Sequence, residues 1–340
     1  MLSPASEVFK TMFKSAQTPM TAGSAKDNPL VVTDVAIFAF NTMLRYIYTD
    51  NLDELDMPNL FSVFYAAKKY EVISLVLRCF DQIDKRAIQI FQSIPFLSIN
   101  QQLLCDLLKR DQLMINDEIE IWEVALRWAD NQCRKNGKEI TGANRREMLG
   151  PALFNIRFPA IPHEDFSRNI VPSAVLTEDE LINVYGHHSL PGEIEPIFPT
   201  KLRFPKLILK INNFSEFQKS VKSKHSSDPV FAQGLELIIK VSIDKPWNKD
   251  GNELDFILKI KASKKIGYNR SRKLLATFSI LSLNGELKWQ TTVFDTITSG
   301  DYAFYSFISI AELMNLDNGL YEKASDNVTL VIEITSDDDN

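Results

Sequence analysis

The sequence predicts a multidomain α + all-β chain, with helices first and an antiparallel β-sandwich after them. Three observations carry that prediction. In the first half, apolar residues recur at helical spacing, as at Ile37, Phe40, Leu44, Ile47 and Tyr48. A proline-bearing stretch, Ser189–Pro205, then interrupts the pattern. Beyond it the period changes to two: Leu235, Leu237, Ile239, Val241 and Ile243 alternate with Glu236, Lys240 and Ser242.

The elements follow in order. Ser6–Phe13 has the spacing of a short amphipathic helix, and Thr18–Asn28, with Pro19 and Gly23, is polar enough to be a loop. Leu30-Val31-Val32 is a candidate short strand. Pro58 occupies a first helical turn ahead of Leu60, Phe64 and Ala67, and Leu75–Asp81 begins another helix. Asn116 or Asp117 caps a helix whose first turn holds Glu118 and Glu120, where carboxylates meet the positive end of the helix dipole. Ile121, Trp122, Ala125, Trp128, Ala129 and Cys133 give that helix an apolar face, and Asn136-Gly137 ends it. Thr177 through Glu180 reads as a capping box ahead of Leu181 and Val184. Pro191, Gly192, Pro196, Pro199 and Pro205 mark an interdomain linker over residues 189–205. Strands are expected around 235–243, 254–262, 276–280, 287–293 and 328–334, with an Asn284-Gly285 hairpin turn and one helical turn at Ile310–Met314. Alternation on one face suits two packed antiparallel sheets. Asp337–Asp339 is an acidic tail.

Composition bounds the chemistry. A chain of 340 residues has room for two or three domains, and 45% hydrophobic content supports ordinary cores. The net charge of -6 gives no global attraction to nucleic acid or to an acidic membrane. No apolar run approaches the roughly 20 residues of a bilayer span, and no signal peptide is visible. Cys79, Cys105 and Cys133 fall on apolar helical faces, as reduced thiols of a cytoplasmic or nuclear protein do. His187-His188 follows a helix without Cys or acid at metal-ligand spacing; neither a phosphate loop nor a nucleophile elbow occurs. The chain is therefore not expected to be an enzyme or to need a cofactor. Lys259–Lys273, carrying seven basic residues and no acid, reads either as an anionic-partner patch or as a solvated strand face and loop, the latter favoured by the acidic balance of the whole.

Several stretches also carry a resemblance. Leu44-Arg45-Tyr46-Ile47-Tyr48, Tyr65-Ala66-Ala67-Lys68-Lys69-Tyr70 and the helix bearing Cys79 resemble the C-terminal half of a BTB/POZ domain. The 118–128 helix with Ile156-Arg157-Phe158-Pro159 resembles a BACK domain, the helical extension that follows many BTB domains. Leu209–Ser215, Phe278–Leu281, Phe304–Ile308, Asn318–Leu320 and Val328–Ile334 resemble a MATH domain; the PHR β-sandwich is the alternative. On this reading residues 1–81 form a partial BTB/POZ domain that begins after the family's opening strand–helix–strand unit. Residues 82–188 form the BACK domain, 189–205 the linker, 206–335 the MATH-like sandwich and 336–340 the tail.

The resemblance implies a substrate-recognition adaptor of a cullin-RING ubiquitin ligase, with the helices on the cullin scaffold protein and the sandwich on a substrate protein or peptide. Homodimerisation is implied for a complete BTB domain. The implied cullin contacts are Phe9, Met12, Phe13 and Tyr48; the implied substrate groove is Phe294, Tyr302 and Phe304, with Phe307 toward the core. The competing reading of these aromatics is that all are sandwich core. The apolar-x-Glu motif common in cullin-binding relatives is absent from Lys14–Ala22, which leaves a non-ligase interaction scaffold as the second function.

Overall fold

The computed structural model describes residues 6–16, 35–190, 192–217, 224–233, 235–242, 253–262, 272–281, 287–297, 301–315, 321 and 326–336. The expected loop at 18–28, the strand at 30–32, the Asn284-Gly285 turn, the tail and most of the basic stretch lie outside them. The chain divides into two units, Met1–Asn100 and Gln101–Asn340.

The first unit is helical: α1 (Glu7–Ala16), α2 (Ile37–Thr49), α3 (Met57–Lys69), α4 (Ile73–Lys85) and α5 (Ala87–Gln92), then a 3-10 turn at Pro95–Ser98. Helix α3 starts where expected, because the Asp56 carboxylate accepts the Asn59 N–H at 3.0 Å and Pro58 needs no partner in the first turn. It ends with Lys68 and Lys69 against the negative end of the dipole. Leu60, Phe64, Ala67, Leu75, Cys79, Ile83 and Ile90 are buried in the unit's core. The boundary expected between residues 81 and 82 falls inside α4, whose buried Ile83 and Asp84 continue the stripe begun at Leu75 and Cys79.

The second unit begins with α6 (Gln101–Leu108), α7 (Glu118–Lys135) and α8 (Gly142–Leu149), short 3-10 and π turns over 150–173, and α9 (Glu178–Ser189). Asp117 is the cap of α7, accepting the Ile119 N–H. The capping box of α9 is complete: Glu180 donates its N–H to Thr177 Oγ1 at 3.3 Å, and Thr177 donates its own to Glu180 Oε2 at 2.8 Å.

The strands come next: β1 (Leu207–Ile211), a helical turn α10 (Phe214–Phe217), β2 (Lys224–Ser226), β3 (Val230–Ala232), β4 (Leu235–Ser242), β5 (Glu253–Ala262), β6 (Arg272–Leu281), β7 (Leu287–Ile297) and β8 (Asp301–Ser309). Helix α11 (Ile310–Met314) and β9 (Val328–Ser336) complete the order. One sheet runs β1-β9-β6-β7 and the other β2-β4-β5-β8, with β3 also on β4. Every pairing among the described residues is antiparallel. Leu209, Ile211, Phe278, Ile280, Leu330 and Ile332 of the first sheet share one core with Leu237, Ile239, Val241, Ile260 and Ile308 of the second, which makes the pair a sandwich.

Residues 189–205 are the stretch expected as an interdomain linker. They do join helices to strands; what that expectation left open is their packing, for Phe198, Leu202, Arg203 and Phe204 are buried. Proline content signalled the break in helix; the apolar residues between the prolines pack.

Candidate interaction site

In the first unit the candidate contacts separate. Phe9 is 2% exposed and stacks on Tyr70 with centroids 4.6 Å apart, while Phe40 meets both rings edge-on. It is a core residue, not a surface contact, because its helix lays the apolar stripe inward. Met12 is half-buried, and the side chain of Phe13 lies outside the described residues. Tyr48, 59% exposed near the end of α2, is free to meet a partner. Beside it, Arg45 pairs with Asp53 at 2.7 Å. Gln82 and Arg86 of α4 hold the 50–56 turn: Gln82 Oε1 accepts the Leu55 N–H at 2.9 Å, and Arg86 donates to Leu55 O at 2.8 Å. A cleft of about 510 Å³ opens between that turn and α4, lined by both signs of charge, including Asp50, Glu54, Asp81, Arg78 and Lys85.

In the sandwich, β7 and β8 end their sheets on one side, each pairing with a single neighbour among the described residues. Register places the aromatic positions. Tyr302 lies opposite Ile260 and Phe304 opposite Leu258; Ile260 and Ile308 are buried in the shared core. Residues directly opposite one another share a face, and so do alternate residues. The side chains of Tyr302, Phe304, Tyr305 and Phe307 lie outside the described residues, so β8 is placed here by its backbone register alone. Phe294 of β7 pairs in register with Leu275 of β6, and its side chain likewise lies outside the described residues.

A constellation that the sequence did not single out lies in the second unit. Arg203 and Glu118 are 0% and 1% exposed and pair through two bonds, Nε to Oε2 at 2.9 Å and Nη2 to Oε1 at 3.0 Å. Arg203 also donates to the carbonyls of Arg110 at 2.5 Å and Asn155 at 3.0 Å. Arg157 donates to Lys201 O at 2.5 Å and to the Asp111 carboxylate, and its own N–H goes to Glu118 Oε1 at 3.2 Å. A signal existed: Leu202-Arg203-Phe204-Pro205 repeats the pattern of Ile156-Arg157-Phe158-Pro159. Burial, followed by the charge of Arg203, lowers the Arg157 pKa. Burial works to raise the Asp111 carboxyl, but Arg157 and Lys201 outweigh it and hold it below its ordinary value. The Cys79 thiol is pushed up to about 12 by burial, which keeps it an unreactive thiol at neutral pH. Among the described residues no helix is long and apolar enough to cross a membrane, and no three His, Cys, Asp or Glu are grouped to hold a metal.

Comparison with known families decides what the helices are. Residues 1–87 match the BTB/POZ domain model, and residues 60–171 match the model of BACK, "BTB And C-terminal Kelch". Residues 1–171 are thus similar to a BTB domain followed by a BACK domain. Similar proteins agree. The chain is 29% identical over 235 residues to BTB/POZ domain-containing protein 3 of Homo sapiens, covering 60% of this chain and 44% of that protein. It is 26% identical over 231 residues to BTB/POZ domain-containing protein 6 of Xenopus tropicalis, covering 58% and 42%. The chain thus spans less than half the length of these relatives. Among solved structures, Notothenia coriiceps TRAF5 aligns at 18% identity and a TM-score of 0.31, over 38% of this chain and 72% of that one, too distant to assign the fold. The antiparallel sandwich is compatible with the MATH-like domain that the sequence resemblance implies. BTB and BACK are protein-interaction modules, and a general adaptor or interaction role follows from them.

Proposed function

We propose that this chain is a substrate-recognition adaptor of a cullin-RING ubiquitin ligase. Its BTB–BACK segment holds the cullin scaffold and its sandwich holds a substrate protein or peptide. The observation that carries the reading is the order of modules: BTB and BACK matches over residues 1–171, then in the same chain an antiparallel sandwich whose β7 and β8 each have one strand neighbour among the described residues. Such an adaptor needs no catalytic group. It raises the effective concentration of substrate lysines near a ubiquitin-loaded enzyme. Among the described residues β8 pairs with β5 alone, and a strand edge of that kind suits an added peptide strand. The buried thiols suit work in the reducing cytoplasm or nucleus.

A purified cullin scaffold mixed with this chain is expected to co-elute with it on size exclusion, and Tyr48→Glu to weaken that complex without unfolding the chain. Absence of any complex with the parent chain would count against the ligase reading. One observation favours the second reading, a non-ligase scaffold: burial of Phe9 removes a surface that the resemblance assigned to the cullin. That reading expects stable partners whose turnover is indifferent to ubiquitin-conjugation inhibitors.

A further inference from the structure

A proline-bearing stretch between two modules is ordinarily a spacer, and relative motion of the modules is the default where their contact is small. Residues 194–206 are held differently, at four successive places. Ile194 lies so close on α9 that a Cβ added at Gly186 would meet its Cδ1 at 2.5 Å. The Asn183 side chain then clamps the backbone, donating to Glu195 O at 2.9 Å and accepting the Ile197 N–H at 2.9 Å. Phe198 is buried edge-on against Phe158, with centroids 4.7 Å apart, and stacks on Phe154 at 5.8 Å. Arg203 then enters the helical layer to meet Glu118, and the Lys206 N–H donates to Gln112 Oε1 at 2.5 Å.

The sandwich adds contacts of its own. The Gln233 N–H, just after β3, donates to Ile115 O at 2.9 Å, and Ala160 packs against the inter-sheet core. The Arg203–Glu118 pair makes the arrangement all-or-none. If the strand entering β1 swung away, Glu118 would lose its two-bond partner and keep only the neighbouring Arg157, and the carbonyls of Arg110 and Asn155 would lose the Arg203 donor.

We infer that residues 194–206 are a rigid coupling and that Arg203 is its positioning residue, so that the helices of 101–189 and the sandwich move as one body. A partner on those helices and a partner on the β8 edge are then held at one set separation. The coupling stands independently of the ligase reading, since it is a property of the chain without partners.

The test uses the full chain. Amide hydrogen exchange is expected to be slowed by about 100-fold or more at Ile197 and Lys206 relative to an unstructured peptide, as for bonds that open only with the unit. Spin labels at Glu139→Cys and Gln290→Cys, both exposed sites, are expected to give one narrow distance distribution. Arg203→Lys keeps the charge but lacks the fork that reaches Glu118 and two carbonyls together; it is expected to broaden that distribution while exchange in β4 and β9 stays slow. Near-free exchange at Ile197 and Lys206, or a broad distribution in the parent chain, overturns the coupling even if the variant fails to fold. A distribution as narrow in Arg203→Lys as in the parent removes Arg203 from the role.

Discussion

Glu118 and Arg203 are both taken out of water, and each depends on the other. Breaking a buried pair from one side leaves a naked charge, which costs about 3–5 kcal/mol, whereas replacing both partners by apolar groups costs far less. Arg203→Met is therefore expected to lower the urea midpoint of the second unit strongly, and Glu118→Met with Arg203→Met to recover most of the loss; equal losses would show that the pair is not coupled. Phe9 makes a similar case in the first unit. Stacked on Tyr70 and buried, it is expected to cost about 3–5 kcal/mol when changed to alanine. Tyr48→Ala, at an exposed site, should stay within about 0.5 kcal/mol in the same denaturation assay. Neither assignment was legible residue by residue. Glu118 in a first helical turn has a sufficient local explanation in the dipole, and nothing local reports an arginine 85 positions away in sequence. Phe9 sits on an amphipathic helix, whose stripe says that one face is buried but not what covers it.

The helices were legible as elements because each carries its own start and stop signals. Pro58 sits in a first turn, Asp117 is one of the two caps offered for its helix, and Thr177 with Glu180 forms the expected box; Asp56 is a cap that the structure adds. The Thr177–Glu180 box also has a pH signature. Burial works to raise the Glu180 carboxyl, but donors from Arg146 at 2.8 Å and from the Thr177 amide prevail and hold it below its ordinary value. A depressed carboxylate adds stability that is fully present above the unfolded value, about 4.3, and is lost as pH falls through the folded value. Thermal melts should therefore fall off below about pH 4 to 5, and Glu180→Gln should flatten that acid limb; an unchanged limb would rule out this contribution. Glycine sets two close approaches. A Cβ at Gly142 would meet the Ala174 carbonyl oxygen at 2.1 Å, which is backbone, whereas the one at Gly186 meets only the tip of Ile194. Gly142→Ala should thus destabilise α8 more than Gly186→Ala destabilises α9, as read by melting temperature. In the strands, alternation gave the element but not always its face. In β4 one parity carries Glu236, Lys240 and Ser242 with a single Ile238, so the core face is evident. Between Tyr302 and Phe307 both parities carry aromatics, and only pairing with Ile260 and Ile308 distinguishes them.

For the whole molecule, the change of hydrophobic period near residue 206 announced helices followed by sheets, and the matches to BTB and BACK give the helices their interaction role. Proline content marked the join but said nothing of its packing, because composition records the breaks in helix and not the burial of Phe198, Leu202 and Phe204. The central claim is that this one chain holds a cullin scaffold and a substrate together. The most direct measurement is two-step affinity capture of the full chain, first through the chain and then through the cullin, with bound proteins identified and quantified. The account expects a third protein to survive both steps, to be lost with Tyr305→Asp, and to carry ubiquitin in cells, while cullin recovery is unchanged by that substitution. Recovery of chain and third protein with no cullin in the second step would contradict it.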